Sequence, residues 1–440
     1  AFAYADGTPF FPMGDTCYGL YNESIITPDL RTQYLQTRRR QRFNFIRLHV
    51  QHSPTHGQTD RNFCPWSGTL KSPDVDRYNA VFFQGLDGVL RQMNDLGMNA
   101  ELILLNCYIP PMNDPRVWTR DREQTWLRYV IARYAAFPNV FLWTIANEYE
   151  VHPDGKYRLD VPDDPDWAKT TARFIKMHDP YRHPVTVHPV ISANARGSST
   201  RDPFDPPWRI GEFFGADDAI DVLSQQTSGA YAVQWDETLG CWMHDVAPGA
   251  NASIAVDRVY RKPVLNTENG YEYLRGYPTY KRQVHHTDKV RRASWRIVCA
   301  GGYFAAGFAG TQGNGDSFNR SDAPNRYPFV VKDEGAAEQL GFLYDFFVSL
   351  PFWRMQPFEA VTPETAVALA EPGQVYAIYL PDGGDATVDL SEEKSPLAVS
   401  WFNPRSGDTV GGQNVAGGSR RSFEAPFDGD AILYLRRVNK

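Results

Sequence analysis

Two glutamates and their neighbours carry the reactive chemistry that this sequence offers. The segments WTIANEYE at 143–150 and PVLNTENGY at 263–271 each bring an apolar run to a carboxylate, Glu148 and Glu268. Two carboxyl groups from separate strands suit work on an acetal. One protonates the leaving oxygen while the other attacks carbon or activates a water. Other apolar runs also end on polar side chains: Asp15, Arg47 with His49, Asn106, Asn147 beside Glu148, His188 and Gln226. Any one of them alone reads equally well as a satisfied polar group at a strand edge. Their recurrence at strand ends points to a shared rim.

The elements that must position these residues alternate between short apolar runs and longer amphipathic stretches. Strands are expected at 10–14, 44–50, 99–106, 140–148, 184–188, 221–226, 263–268 and 302–310. Helices are expected at 28–41, 79–96, 121–136, 166–177, 283–299 and 334–349. Residues 51–77 read as one long loop, and 189–220 as an insertion. The run NAELILLN at 99–106 is almost wholly apolar, as a strand buried on both faces should be. Eight such strands with crossover helices predict an α/β fold, a (β/α)8 TIM barrel, whose reactive groups lie at the C-terminal strand ends. Beyond Pro351 the texture changes to short alternating runs, QVYAIYL, ATVDL, LAVSWF and AILYLRR, parted by Gly, Pro and Asp. That pattern predicts a small antiparallel β-sandwich. The expected division is a catalytic barrel over 1–354 and a sandwich over 355–440.

Composition narrows the partners. With 45 Lys+Arg against 52 Asp+Glu the chain carries −7, which disfavours nucleic acid and other polyanions. No apolar run reaches the length of about 20 residues that a membrane span requires. The opening AFAYADGTPFF carries no signal peptide and leaves the compartment open. Aromatic residues make up 14% of the chain, and Trp66 and Trp118 fall in loop segments where a ring face could meet a sugar. The five cysteines, Cys17, Cys64, Cys107, Cys241 and Cys299, form neither a disulfide framework nor a CxxC metal pair.

Rival constellations are weaker. Glu150, Glu212, Asp236, Glu237 and Glu272 are acidic and fall near the same rim. No HExxH, GxSxG, Walker or dinucleotide motif is present. A metal-dependent hydrolase would draw on His49, His188 and Glu268. A carbohydrate-binding barrel without turnover is the other alternative. The expectation is an enzyme that needs no cofactor and acts on an oligosaccharide or polysaccharide.

Three features together resemble a known family. They are the Asn147–Glu148 pair ending strand four, Glu268 ending strand seven, and the opening phrase DGTPFFPMGDT at 6–16. These resemble the clan A glycoside hydrolases, and within them the apiosidase-like, family 140-type branch. YAIYLPDGG, SWFNPRSGD and FEAPFDGDAILYL resemble that branch's C-terminal module, named for collagen binding. The resemblance implies a retaining mechanism with Glu148 as general acid/base and Glu268 as nucleophile. It implies that Asn147 binds the hydroxyl next to the reacting carbon and that Arg47 keeps the nucleophile ionised, since a nearby cation lowers a carboxylate's pKa. Glu148 needs the opposite shift, which an aromatic wall from Trp143 or Tyr149 would supply. Two departures follow. Strand six reads LSQQTSGAY, so Gln226 or Tyr231 fills the place that touches the nucleophile, and strand eight, GFAGTQGN, lacks the family's tryptophan. Apiose release is known in that family, whose members are diverse, so no sugar is assigned. Exo action is expected if the segments 51–77 and 189–220 close one end of the cleft.

Overall fold

A computed structural model describes residues 1–22, 26–51, 64–69, 72–107, 110–149, 164–189, 210–226, 232–236, 241–245, 247–272, 287–308, 331 and 335–438. Eight parallel strands form its central sheet: β1 (Met13–Thr16), β2 (Phe45–His49), β3 (Asn99–Leu105), β4 (Val140–Ala146), β5 (Val185–Thr186), β6 (Leu223–Gln226), β7 (Val264–Glu268) and β8 (Tyr303–Phe308). The order in space is β6-β7-β8-β1-β2-β3-β4-β5, every neighbour parallel. The ends of that order meet. Asp221 N donates to Val185 O at 2.9 Å, and the Thr186 hydroxyl donates to Val222 O at 2.7 Å. The sheet is thus a closed barrel with no free edge.

Eight helices follow: α1 (Pro28–Arg40), α2 (Ala80–Asp95), α3 (Arg120–Tyr134), α4 (Asp164–His178), α5 (Ile210–Phe214), α6 (Ala247–Arg258), α7 (Thr287–Cys299) and α8 (Ala336–Val348). Local chemistry sets their starts. The Thr27 hydroxyl accepts from Leu30 N with Pro28 in the first turn, and Asn79 and Thr119 cap α2 and α3 in the same manner. Inside the barrel space is tight: a Cβ at Gly14 would lie 2.2 Å from the Phe45 ring. Only a glycine fits there.

The expected strands and the longer helices are present, with three differences. The first strand starts at Met13, because Pro12 has no N–H to give the ladder. The stretch read as one loop contains a hairpin, Trp66–Thr69 against Ser72–Tyr78. The elements α5 and α6, and a second hairpin joining Ala232–Asp236 to Cys241–Asp245, lie where no element is expected from the sequence.

After the barrel come β9 (Gln356–Pro357), β10 (Val361–Thr362), β11 (Val367–Glu371), β12 (Val375–Leu380), β13 (Asp385–Asp389), β14 (Leu397–Phe402), β15 (Thr409–Gly411), β16 (Arg420–Glu424) and β17 (Ala431–Arg437). They form a six-stranded sheet, β9-β11-β12-β17-β14-β15, and a three-stranded one, β10-β13-β16. Ile378, Val388, Trp401 and Leu433 fill the space between the sheets. The six-stranded sheet lies against α7. Trp295 stacks on Tyr379 at 5.9 Å and meets Phe402 at 5.8 Å, while Arg291 gives Asp430 two hydrogen bonds of 2.9 and 2.8 Å. Both partners of that ion pair are buried, and Tyr379 OH adds a third donor to Asp430 at 3.1 Å.

Since the Ser294 hydroxyl of α7 accepts from Asn269, the residue after Glu268, at 2.8 Å, the sandwich braces a helix tied to the end of β7. Asp430→Ala should strip a buried guanidinium of its bidentate partner, at a cost of about 3 kcal/mol. Calorimetry should then show one transition, lowered for the whole chain. A second, independent transition that alone moved would contradict the shared interface.

Candidate active site

Glu268 closes β7, buried, and both its carboxylate oxygens are held. Tyr18 OH donates to Oε1 at 3.1 Å, His188 Nε2 lies 3.0 Å from Oε2, and the Arg47 guanidinium stands 4.0 Å from Oε2. Arg47 organises this floor from β2. It donates to Glu101 Oε1 at 3.2 Å, to Tyr18 OH at 2.7 Å and to Asn147 Oδ1. Glu101 from β3 also accepts from the Thr144 hydroxyl of β4 at 2.7 Å. Arg47, Glu101 and Thr144 are all fully buried. Its Oδ1 accepting from the cation fixes the orientation of the Asn147 amide.

Glu148 sits one residue further along, just past β4, with φ +48, a backbone region that L-residues enter at a cost of about 1–3 kcal/mol. Tyr149 N, bonded to His188 O at 3.1 Å, pins the chain just beyond. Across the barrel the β6–β7 register shifts between Gln225 and Gln226, and Gln226 Nε2 donates to Glu148 Oε1 at 3.2 Å. A bulge beside a reactive group is a common way to re-aim one side chain.

The electrostatics separate the two glutamates. Burial first, and then the charge of Glu268, push the Glu148 carboxyl up to about 7. His188 goes the other way: burial and then Arg47 bring its imidazole down to about 4, so it is neutral near pH 7. Burial also raises Glu101, whose Oε2 has no hydrogen-bond partner. The cluster therefore holds one carboxyl protonated near neutral pH, next to another ringed by donors. This is the arrangement of an acid and a nucleophile.

The structure brings Arg47, Asn147, Glu148, His188, Gln226 and Glu268 together, as the strand ends implied. His49 and Asn106 lie beside them: Asn106 Nδ2 bonds His49 Nδ1 at 3.2 Å, and the His49 ring meets Tyr18 at 4.7 Å. Other candidates are placed differently. Asp15 faces α1, accepting from Arg38 Nε at 2.5 Å and Tyr34 OH at 2.6 Å, so its carboxylate is consumed by a buried ion pair. Trp66 is buried against Trp126 of α3 and Trp118 at 5.2 and 5.7 Å, a core cluster rather than a sugar platform. Trp143 projects from the opposite face of β4 to Thr144, its Nε1 on Asp179, and Tyr149 packs on Phe214. Burial and Glu268, rather than an aromatic wall, thus raise Glu148. Gln226 serves Glu148, while Tyr18 and His188 touch Glu268; Tyr231, Glu150 and Glu237 lie outside the described residues.

Glu272 has a structural role, because its carboxylate accepts from Ala336 N, at the start of α8, at 3.2 Å and from the Thr287 hydroxyl. The metal set of His49, His188 and Glu268 does not assemble. His188 is spent on Glu268 and on Thr267, His49 on Asn106, and among the described residues no three His, Cys, Asp or Glu side chains form a metal-binding group.

Comparison with known proteins agrees in fold and family. Residues 1–354 match the family model described as "Apiosidase-like, catalytic domain", and residues 359–435 the one described as "Putative collagen-binding domain of a collagenase". A solved glycoside hydrolase superposes with a TM-score of 0.72 at 17% identity, covering 99% of this chain and 95% of that one. A family 5 glycoside hydrolase from Bacteroides vulgatus gives 0.72 at 16%, covering 99% and 91%. The endo-1,4-beta-D-mannanase of Thermotoga petrophila gives 0.52 at 16%, covering 77% and 100%. At these identities the likeness is one of fold. No curated protein matches the sequence.

The Arg47 hub is open to a direct test. Arg47→Met should leave Glu101 and Glu268 without their cation and cost about 3–5 kcal/mol in urea unfolding. Glu101→Gln keeps an oxygen acceptor for Arg47 and should cost clearly less. Equal losses would mean that the charge at Glu101, not the cation, governs this floor.

Proposed function

Since the chain belongs to the apiosidase-like family and is a glycoside hydrolase, we propose that it cleaves its substrate by double displacement, with net retention of anomeric configuration. Glu268 attacks the anomeric carbon, and Glu148 first protonates the departing oxygen and then activates the incoming water. The observation that carries this assignment is the opposite treatment of the two carboxyl groups. Burial and the Glu268 charge keep Glu148 protonated up to about pH 7, whereas Glu268 is surrounded by Tyr18, His188 and Arg47, all suited to an anion. Asn147, oriented by Arg47, hydrogen-bonds the hydroxyl next to the reacting carbon, a contact that tightens as oxocarbenium character develops.

The substrate class we propose is an O-linked plant, algal or microbial glycan, or oligosaccharides from it. Among the described residues the polar groups around the two carboxyls are amides, a neutral imidazole and a phenol, and the Arg47 guanidinium is engaged by Glu101, Tyr18, Asn147 and Glu268. Such a lining favours neutral hydroxyls. Exo action is part of the proposal; the segments expected to close the cleft fall largely outside the described residues.

On a panel of polysaccharides and aryl glycosides, proton NMR of the first product should show the anomer of the substrate. Inverted product would remove the nucleophile role from Glu268. Glu268→Ala should lower kcat by at least about 10⁴-fold, in line with loss of a covalent catalyst. The form of Glu148 that acts first is the protonated one. Activity should therefore fall as pH rises through about 7, and Glu148→Gln should abolish that limb of the kcat/KM profile.

A further inference from the structure

Behind the imidazole that touches Glu268 lies a chain of side chains that the mechanism above does not use. His188 Nδ1 is 2.6 Å from the Thr267 hydroxyl, and that hydroxyl is 2.8 Å from Ser224 Oγ. Ser224, Thr267 and His188 are fully buried, so water does not replace any member. We propose that Thr267, the residue before the nucleophile, is a positioning residue that orients His188 and fixes its tautomer, with Ser224 setting the direction of the Thr267 hydroxyl. The inference rests on Glu268 being the nucleophile.

Proton counting gives the chain one polarity. An ionised Glu268 can only accept, so the proton of a neutral His188 belongs on Nε2. Nδ1 is then a lone pair in a dry site and must be given a donor. Thr267 is that donor at 2.6 Å, and having donated it accepts from Ser224. The reverse order would have the Thr267 hydroxyl donate to Ser224 Oγ or Gln225 O, and would set the bare Nε2 lone pair against the carboxylate. That arrangement removes a bond from the nucleophile and adds a repulsion. Fixed as Ser224 to Thr267 to His188 to Glu268, the chain supplies the nucleophile with a neutral donor that stays uncharged through the reaction.

Among the described residues the charged and titratable groups facing this pair come from β1 to β4. They are Tyr18 after β1, Arg47 from β2, Glu101 from β3 and Glu148 after β4, while β6 brings only the uncharged Ser224, Gln225 and Gln226. Removing the Thr267 hydroxyl alters none of those charges. Its effect should enter through His188 alone.

Thr267→Val keeps the shape and deletes the donor. Weakening one hydrogen bond to the anionic form of Glu268 should move the acidic limb of kcat/KM up by about one pH unit and lower kcat/KM below that limb about ten-fold. The basic limb, set by Glu148, should stay in place, and Thr267→Ser should restore the wild-type profile. An unmoved acidic limb in Thr267→Val, or a serine variant no better than valine, would overturn the proposal. Nitrogen chemical shifts of His188 in labelled wild-type protein give a second readout that needs neither substrate nor a folded valine variant. They should report the neutral Nε2–H tautomer between about pH 5 and 8. The Nδ1–H tautomer or an imidazolium in that range would refute the positioning role whatever the activity. If instead the product were inverted, the parent assignment would fail while the tautomer result stood, so the two failures are told apart.

Discussion

A guanidinium sealed from water at the bottom of the barrel mouth is the constraint on which the site depends. A buried cation is tolerated only when its donors are met by acceptors and its charge by a counter-charge. Arg47 meets that demand with residues from four places in the chain: Glu101 on β3, Tyr18 after β1, Asn147 at the end of β4 and Glu268 at the end of β7. Each of these is fixed in turn by its own bond to the hub. The orientation of Asn147 and the phenol on Glu268 are consequences of one burial problem solved once.

The same burial creates the difference between the two glutamates. Desolvation acts on every carboxyl in the cluster, and what distinguishes them is the supply of donors. Glu268 receives Tyr18, His188 and the field of Arg47, whereas Glu148 receives one neutral amide from Gln226 and the repulsion of Glu268. Three carboxyls share one guanidinium, and burial raises Glu148 and Glu101. Glu101, raised by burial, keeps Oε1 on Arg47 and on the Thr144 hydroxyl, and among the described residues its Oε2 has no partner. The unlike surroundings of Glu148 and Glu268 are thus two outcomes of a single shortage of positive charge.

Much of this is legible in the sequence alone, and the physical reason differs by element. The barrel strands are buried on both faces, so their apolar runs stand out, and polar residues at their ends mark the rim. The α5 and α6 helices and the hairpin at Trp66–Tyr78 owe their conformation to packing against the barrel, which leaves no period in the chain. Asp15 misleads because a strand-end carboxylate can turn outward to a helix, and Arg38 on α1 offers the partner. Glu101 does carry a signal: a charge inside NAELILL must find a counter-charge, and Arg47 on the adjoining strand is in register with it. Tyr18, Thr144, Thr267 and Ser224 carry none, since a hydroxyl becomes functional only through the neighbour that folding provides.

Such a site draws on the stability of the rest of the molecule. The left-handed backbone at Glu148, the orphaned oxygen of Glu101 and a dry imidazole beside a carboxylate each oppose folding. Opposing terms of that kind persist only where the surroundings over-determine them. Here the surroundings include the sandwich, because the helix α7 that follows β7 is clamped by Trp295 on Tyr379 and by the Arg291–Asp430 pair. The end of β7 is therefore held from inside by Arg47 at Glu268 and from outside by α7, whose Ser294 hydroxyl accepts from Asn269 at 2.8 Å. On this view the C-terminal module supports the barrel from outside, by covering the aromatic face of α7 and giving the buried Arg291 its partner.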